Sequence, residues 1–167
     1  MAELTTQERL QPSLLDRLTD DEPHRAEESR EKRVISATRL RECVTRDVAW
    51  LLNCVNLGSE EDLAEHPEVA RSVLNFGIPD LTGTALSGVD ASVLQRRLRE
   101  AILAFEPRLT PATLQVSVST DADRMDGRSL TFRIESEMWA QPIPLNLYLK
   151  TEVDLETGRF NVAESYG

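Results

Sequence analysis

The chain has 167 residues, 40% of them apolar, and carries a formal net charge of −10, with a pI near 4.7. That length fits one domain with a proper core, while the acidic balance excludes a general nucleic-acid binder and argues against adsorption to anionic membranes. No run of about 18 apolar residues offers a membrane span. The polar opening MAELTTQERL lacks the apolar core of a signal peptide, so a cytoplasmic location is expected, with basic patches on other proteins as targets.

Residues 1–33 hold one apolar patch, Leu10 with Leu14, Leu15 and Leu18, followed by the densely charged TDDEPHRAEESREKR. This reads as a short amphipathic anchor and a solvated linker, ahead of a folded domain over 34–167. The strongest helical signal is ISATRLRECVTRDVAWLLNCV, residues 35–55. Leu40, Val44, Val48, Leu51, Leu52 and Val55 make one stripe at helical spacing. Cys43, Asp47, Trp50 and Cys54 make a second beside it. An arc that wide suits either a deeply embedded core helix or a helix with a second face for a partner, where Asp47 and Trp50 would lie. Eleven residues of helix put Cys43 and Cys54 about 16 Å apart, too far for a disulfide. Both are expected to be free, buried thiols in a reducing compartment.

Residues 67–76, PEVARSVLNF, predict a short helix between Pro67 and a capping Gly77. A glycine-punctuated loop follows, GIPDLTGTALSG, and Asp90 is placed to cap a helix over 91–105 with the stripe Leu94, Leu98, Ala101, Ile102 and Phe105. From residue 112 the apolar period changes to two. Leu114, Val116 and Val118, then Leu130, Phe132 and Ile134, then Leu145, Leu147, Leu149, Val153 and Leu155 alternate with polar residues, and Phe160 and Val162 close the series. These are half-buried antiparallel strands with turns at DRMDG and ETG. The fold class is α+β in two layers, with N-terminal helices on one face of a C-terminal, mostly antiparallel sheet of about four strands.

Chemistry is sparse. Neither GxxxxGK[ST] nor GxGxxG occurs. His24 and His66 form no metal-spaced cluster with a cysteine, and neither lies where a held catalytic base is expected. No catalytic residue, metal or cofactor is expected. Among 29 acidic residues only Glu106 has a suggestive setting, in AFEPRL. A glycosidase acid must stay protonated in an apolar pocket, whereas the neighbouring Arg108 favours the carboxylate form. Pro107 ends the preceding helix near Phe105 and holds Glu106 and Arg108 on a stiff corner. That pair is either a solvent-exposed ion pair of little energetic weight or a preorganised docking point. Asp47 is a candidate partner for Arg108.

SLLDRLTDD (13–21), VTRDVAWLLN (44–53), SVLNFGIPDLTG (72–83), FEPRL (105–109) and PLNLYLKTEVDLETG (144–158), in that order, resemble the TssE family of type VI secretion baseplate subunits. That family is similar to the wedge protein of contractile phage-tail baseplates and is often labelled lysozyme-like. The resemblance implies a structural, non-enzymatic protein of the cytoplasmic baseplate. It would join the wedge subunits TssF and TssG, with TssK and other baseplate components, to the first ring of the TssB/TssC sheath. The family's Glu-Pro-Arg motif, associated with baseplate assembly, maps onto Glu106, Pro107 and Arg108. The terminal strand around Phe160 and Val162 is an edge onto which a sheath strand could add. The competing expectation is a peptidoglycan hydrolase that uses Glu106.

Overall fold

The computed structural model describes residues 13–19, 23–24, 36–82, 91–119, 129–139 and 144–165. In chain order they form α1 (Leu14–Leu18), α2 (Ala37–Leu52), α3 (Pro67–Ala70), α4 (Ala91–Phe105), β1 (Gln115–Ser119), β2 (Ser129–Met138), β3 (Leu145–Asp154) and β4 (Phe160–Glu164). The strands make an antiparallel meander in the order β1-β2-β3-β4. Alternation sends Leu130, Phe132, Ile134, Leu147, Leu149 and Val153 into the core, with polar neighbours on the wet face. Helix α4 lies against β1, and α2 lies against β4 and β3. The result is the two-layer α+β architecture read from the sequence.

Ser36 starts α2 by accepting the Arg39 N–H at 3.1 Å, which satisfies one of the helix's unpaired donors. Leu40, Val44, Val48, Leu51 and Leu52 are then buried, each contributing roughly 1.5–3 kcal/mol of apolar transfer. The helix ends at Leu52, not at residue 55. Val55 instead forms a parallel bridge with Ile78 and is half exposed, and Cys54 is exposed rather than buried. Cys43 is buried, and both thiols are free.

The segment 67–76 is not one helix. Pro67 opens α3, but α3 stops at Ala70 and a 3-10 turn, Val73–Asn75, follows. Ser72 donates to the Val69 carbonyl and accepts the Leu74 N–H, while Asn75 donates to the Ala70 carbonyl. Such local side-chain bonds give the backbone an alternative to helix. Gly77 is not a helix cap here. It takes φ 125°, and a Cβ on it would meet the Cys54 carbonyl oxygen at 2.4 Å, so it lets the following strand of loop approach the exit of α2. The β3–β4 turn uses Gly158 at φ 68°.

Helix α1 forms, but Leu14, Leu15 and Leu18 stay 71%, 44% and 74% exposed, so apolar contact does not hold it. Leu10, the linker from 25 to 33, the Asp90 cap and the DRMDG turn lie outside the described residues. Among the described residues no helix is long and apolar enough to cross a membrane.

Candidate functional site

The Glu-Pro-Arg corner is fixed by backbone before any side chain is considered. The Glu106 N–H continues the helix by donating to the Ile102 carbonyl at 2.8 Å, and the Leu109 N–H turns back onto the Glu106 carbonyl at 3.2 Å. Past the turn, Trp139 donates its N–H to the Arg108 carbonyl at 2.7 Å, and Thr110 donates to the Glu137 carbonyl at 2.8 Å. The corner is thereby stitched to the end of β2, with Leu109 buried beside Met138 and Pro107 exposed.

Within this frame the Glu106 carboxylate faces inward and is 4% exposed. It accepts the Arg108 N–H at 3.1 Å, Arg108 Nε at 2.7 Å and Arg108 Nη2 at 2.5 Å. Arg108 Nη2 also donates to Asp47 on α2 at 2.6 Å, so the pair anticipated between these residues is formed. The chain of charges continues outward. Arg46 donates from Nε to Asp47 at 2.8 Å and from Nη1 to Asp16 of α1 at 2.6 Å. Five alternating charges, Glu106, Arg108, Asp47, Arg46 and Asp16, thus link the corner to the N-terminal segment across 61 and 30 residues of sequence.

Burial weighs against the charge of Arg108, but bonds to Glu106 and Asp47 outweigh it and raise the guanidinium above its ordinary value. Burial likewise opposes ionisation of Asp16, yet bonds with Arg46, Ser13 and Cys43 hold its carboxyl down at about 2. Burial, with the Asp16 charge beside it, pushes the Cys43 thiol up, the state of an inert core thiol rather than a nucleophile.

The other sequence candidates separate. Trp50 is exposed, with the Arg46 guanidinium 5.0 Å from its ring centroid. The second stripe therefore buries Cys43 alone and presents Asp47, Trp50 and Cys54 outward to differing degrees. Phe160 is a core residue, stacked 6.4 Å from Phe132, so its side chain is not available to a partner. Val162 is partly buried against the core.

What β4 offers is backbone. Asp154 N–H bonds the Arg159 carbonyl and Ser165 N–H the Tyr148 carbonyl. By the antiparallel alternation, Phe160, Val162 and Glu164 then direct their backbone groups away from β3. Phe160 is not open, because the Asn53 side chain bonds both its outward carbonyl and its outward N–H, at 3.0 Å each. Among the described residues no bond reaches the outward groups of Val162 or Glu164. Beside this edge lies an open groove of about 640 Å³ between the end of α2, the loop at Pro79–Thr82 and the β3–β4 turn.

Four residues escaped sequence reasoning. Asn53, Arg46 and Asp16 act through contacts distant in sequence. Trp139, 60% exposed beside the corner, did carry a signal, since an outward tryptophan at a strand end is unusual away from an interface. His24 and His66 are exposed, and among the described residues no group of three or more His, Cys, Asp or Glu could hold a metal.

A family model described as baseplate wedge protein gp25 matches residues 38–143, which takes in α2, α4, the corner, β1 and β2. No curated protein matches the chain, and no solved structure does.

Proposed function

The chain belongs to the baseplate wedge protein gp25 family, and from that premise we propose that it is a structural baseplate subunit of a type VI secretion, or contractile injection, machine. In this reading it sits on the cytoplasmic side and binds the wedge subunits TssF and TssG through the face that carries Arg108, Asp47, Trp50 and Trp139. It passes the assembly on to the TssB/TssC sheath through the outer edge of β4. Family membership carries the baseplate role. The open backbone of Val162 and Glu164 supports the sheath step, because an unpaired edge is a template for an added strand.

The corner's part in this is indirect at Glu106 and direct at Arg108. Glu106 is buried and occupied by three donors, so it holds Arg108 in place rather than meeting a partner. The same burial disfavours the lysozyme-like alternative. A general acid must reach a glycosidic oxygen, and among the described residues this buried carboxylate bonds only Arg108. Purified protein incubated with cell-wall fragments is expected to release nothing, and turnover lost in Glu106→Gln would overturn the non-enzymatic reading.

Removing the whole last strand would take core Phe160 with it, so the sheath step needs a finer test. Val162→Pro deletes one outward N–H and leaves the inward ladder to β3 intact, an edge-strand setting in which proline is tolerated. Sheath formation on baseplates carrying Val162→Pro should fail while co-purification with TssF and TssG persists. Normal sheaths on that variant would exclude the β4 edge as template.

A further inference from the structure

The lower end of the β4 edge is closed by a single side chain. Asn53 Nδ2 donates to the Phe160 carbonyl at 3.0 Å, and Asn53 Oδ1 accepts the Phe160 N–H at 3.0 Å. A carboxamide carries the same donor and acceptor as a peptide group. This exchange is the two-bond pairing that a residue of a neighbouring antiparallel strand would make. Asn53 Nδ2 also donates to the Ala49 carbonyl at 2.8 Å in the last turn of α2, which fixes the amide plane to the helix. Asn53 thus acts as a fifth strand one residue long.

We propose that Asn53 is a register stop for the strand that adds to β4. The inference rests on the strand-addition reading above and deepens it. An incoming strand can pair at Val162 and Glu164 but cannot run on to Phe160 without displacing a carboxamide that makes three hydrogen bonds. Two outward pairs alone specify register weakly, and a slip by one residue turns every side chain to the other face of the sheet. A fixed block at one end removes the slipped arrangements that would use Phe160. It also keeps the free edge short, which limits pairing between edges of unassembled copies.

The test places a photo-reactive amino acid at Ala163, an exposed position on the wet face of β4, in full-length protein assembled with its TssB/TssC sheath proteins. With Asn53 present, crosslinks should fall on one sheath residue. In Asn53→Ala they should spread to a second position two residues away, because Phe160 then becomes available. Asn53→Asp retains the acceptor but sets a carboxylate against the Phe160 carbonyl, and should give the same spread. One unchanged crosslinked residue in all three proteins would overturn the stop while leaving strand addition intact. No crosslink in any of them would overturn strand addition at β4 and the stop with it. Hydrogen exchange on the unassembled, unsubstituted protein is independent of how the variants fold. The Phe160 amide should exchange about tenfold more slowly than those of Val162 and Glu164, and equal rates would overturn the proposal.

Discussion

Glu106 and Arg108 are separated by one proline, yet their roles diverge because one is buried and the other bridges. Glu106→Gln keeps the shape but removes the charge that compensates Arg108, whose Nη1 is itself buried with no partner among the described residues. Leaving a guanidinium short of its counter-charge should cost about 2–4 kcal/mol, read as a shift of the denaturant midpoint at constant slope. An unchanged midpoint would mean that the corner is held by its backbone bonds alone. At the far end of the charge chain, Asp16 titrates at about 2 in the fold against 3.8 as a free side chain. Its folded value is depressed, so its contribution is complete above about pH 4 and is lost as pH falls through about 2. Solvent screening of this partly solvated pair reduces that difference to about 1 kcal/mol, and it holds α1 rather than the core. Acidification over that window should therefore release α1. Trp50 lies against Arg46, the partner Asp16 lets go, so its fluorescence should report the step. Asp16→Asn should abolish it, and a fluorescence change that survives the substitution would assign the transition elsewhere.

Among the elements, those defined by period were legible and those defined by distant contacts were not. The stripe Leu94, Leu98, Ile102 predicts α4 as it stands, and the alternation in β2 and β3 gives both strands and their buried faces. The end of α2 was hidden because it depends on Asn53 reaching Phe160, 107 residues away. Once the helix stops there, Cys54 and Val55 fall outside it and become exposed. The break after Ala70 was hidden for a local reason: Ser72 and Asn75 take up backbone groups that the PEVARSVLNF pattern assigns to a helix. At the candidate site, helical spacing puts Asp47 on the second stripe of α2, but no period relates α2 to the corner or α1 to α2, so Asp47–Arg108 could stand only as a candidate pair and the link from Arg46 to Asp16 was not legible at all. Gly77 shows how a motif residue can be read correctly as special and for the wrong cause. Its φ of 125° predicts that Gly77→Ala loses roughly 1–3 kcal/mol to backbone strain alone, and the added Cβ would also meet the Cys54 carbonyl oxygen at 2.4 Å. The thermal midpoint should fall by about 5 °C or more. Retention of the original midpoint would show that the loop can move away from α2 at little cost.

The whole molecule combines two kinds of surface, and salt should tell them apart. One is the helical and corner face, where Arg46, Asp47, Arg108 and exposed Trp50 lie on a protein of net charge −10. The other is the β4 edge, which offers uncharged backbone groups. Long-range steering between charged proteins is screened beyond about 10 Å at 0.1 M salt and beyond about 3 Å at 1 M. Encounter rates fall with that screening, while contacts already formed at short range change little. If wedge subunits are the partners, as proposed, association with them should slow by about tenfold or more between 0.05 M and 0.5 M salt, with dissociation nearly unchanged. Strand pairing at β4, once wedges are in place, should show a much flatter dependence, because peptide hydrogen bonds carry no net charge to screen. Stopped-flow association for the first step and sheath elongation on preassembled baseplates for the second measure the two separately. A flat salt profile for wedge association would remove charge from the recruitment step and leave the apolar surface of Trp50 and Trp139 to account for it. An equally steep profile for both steps would mean that the sheath meets a charged face and not the edge of β4.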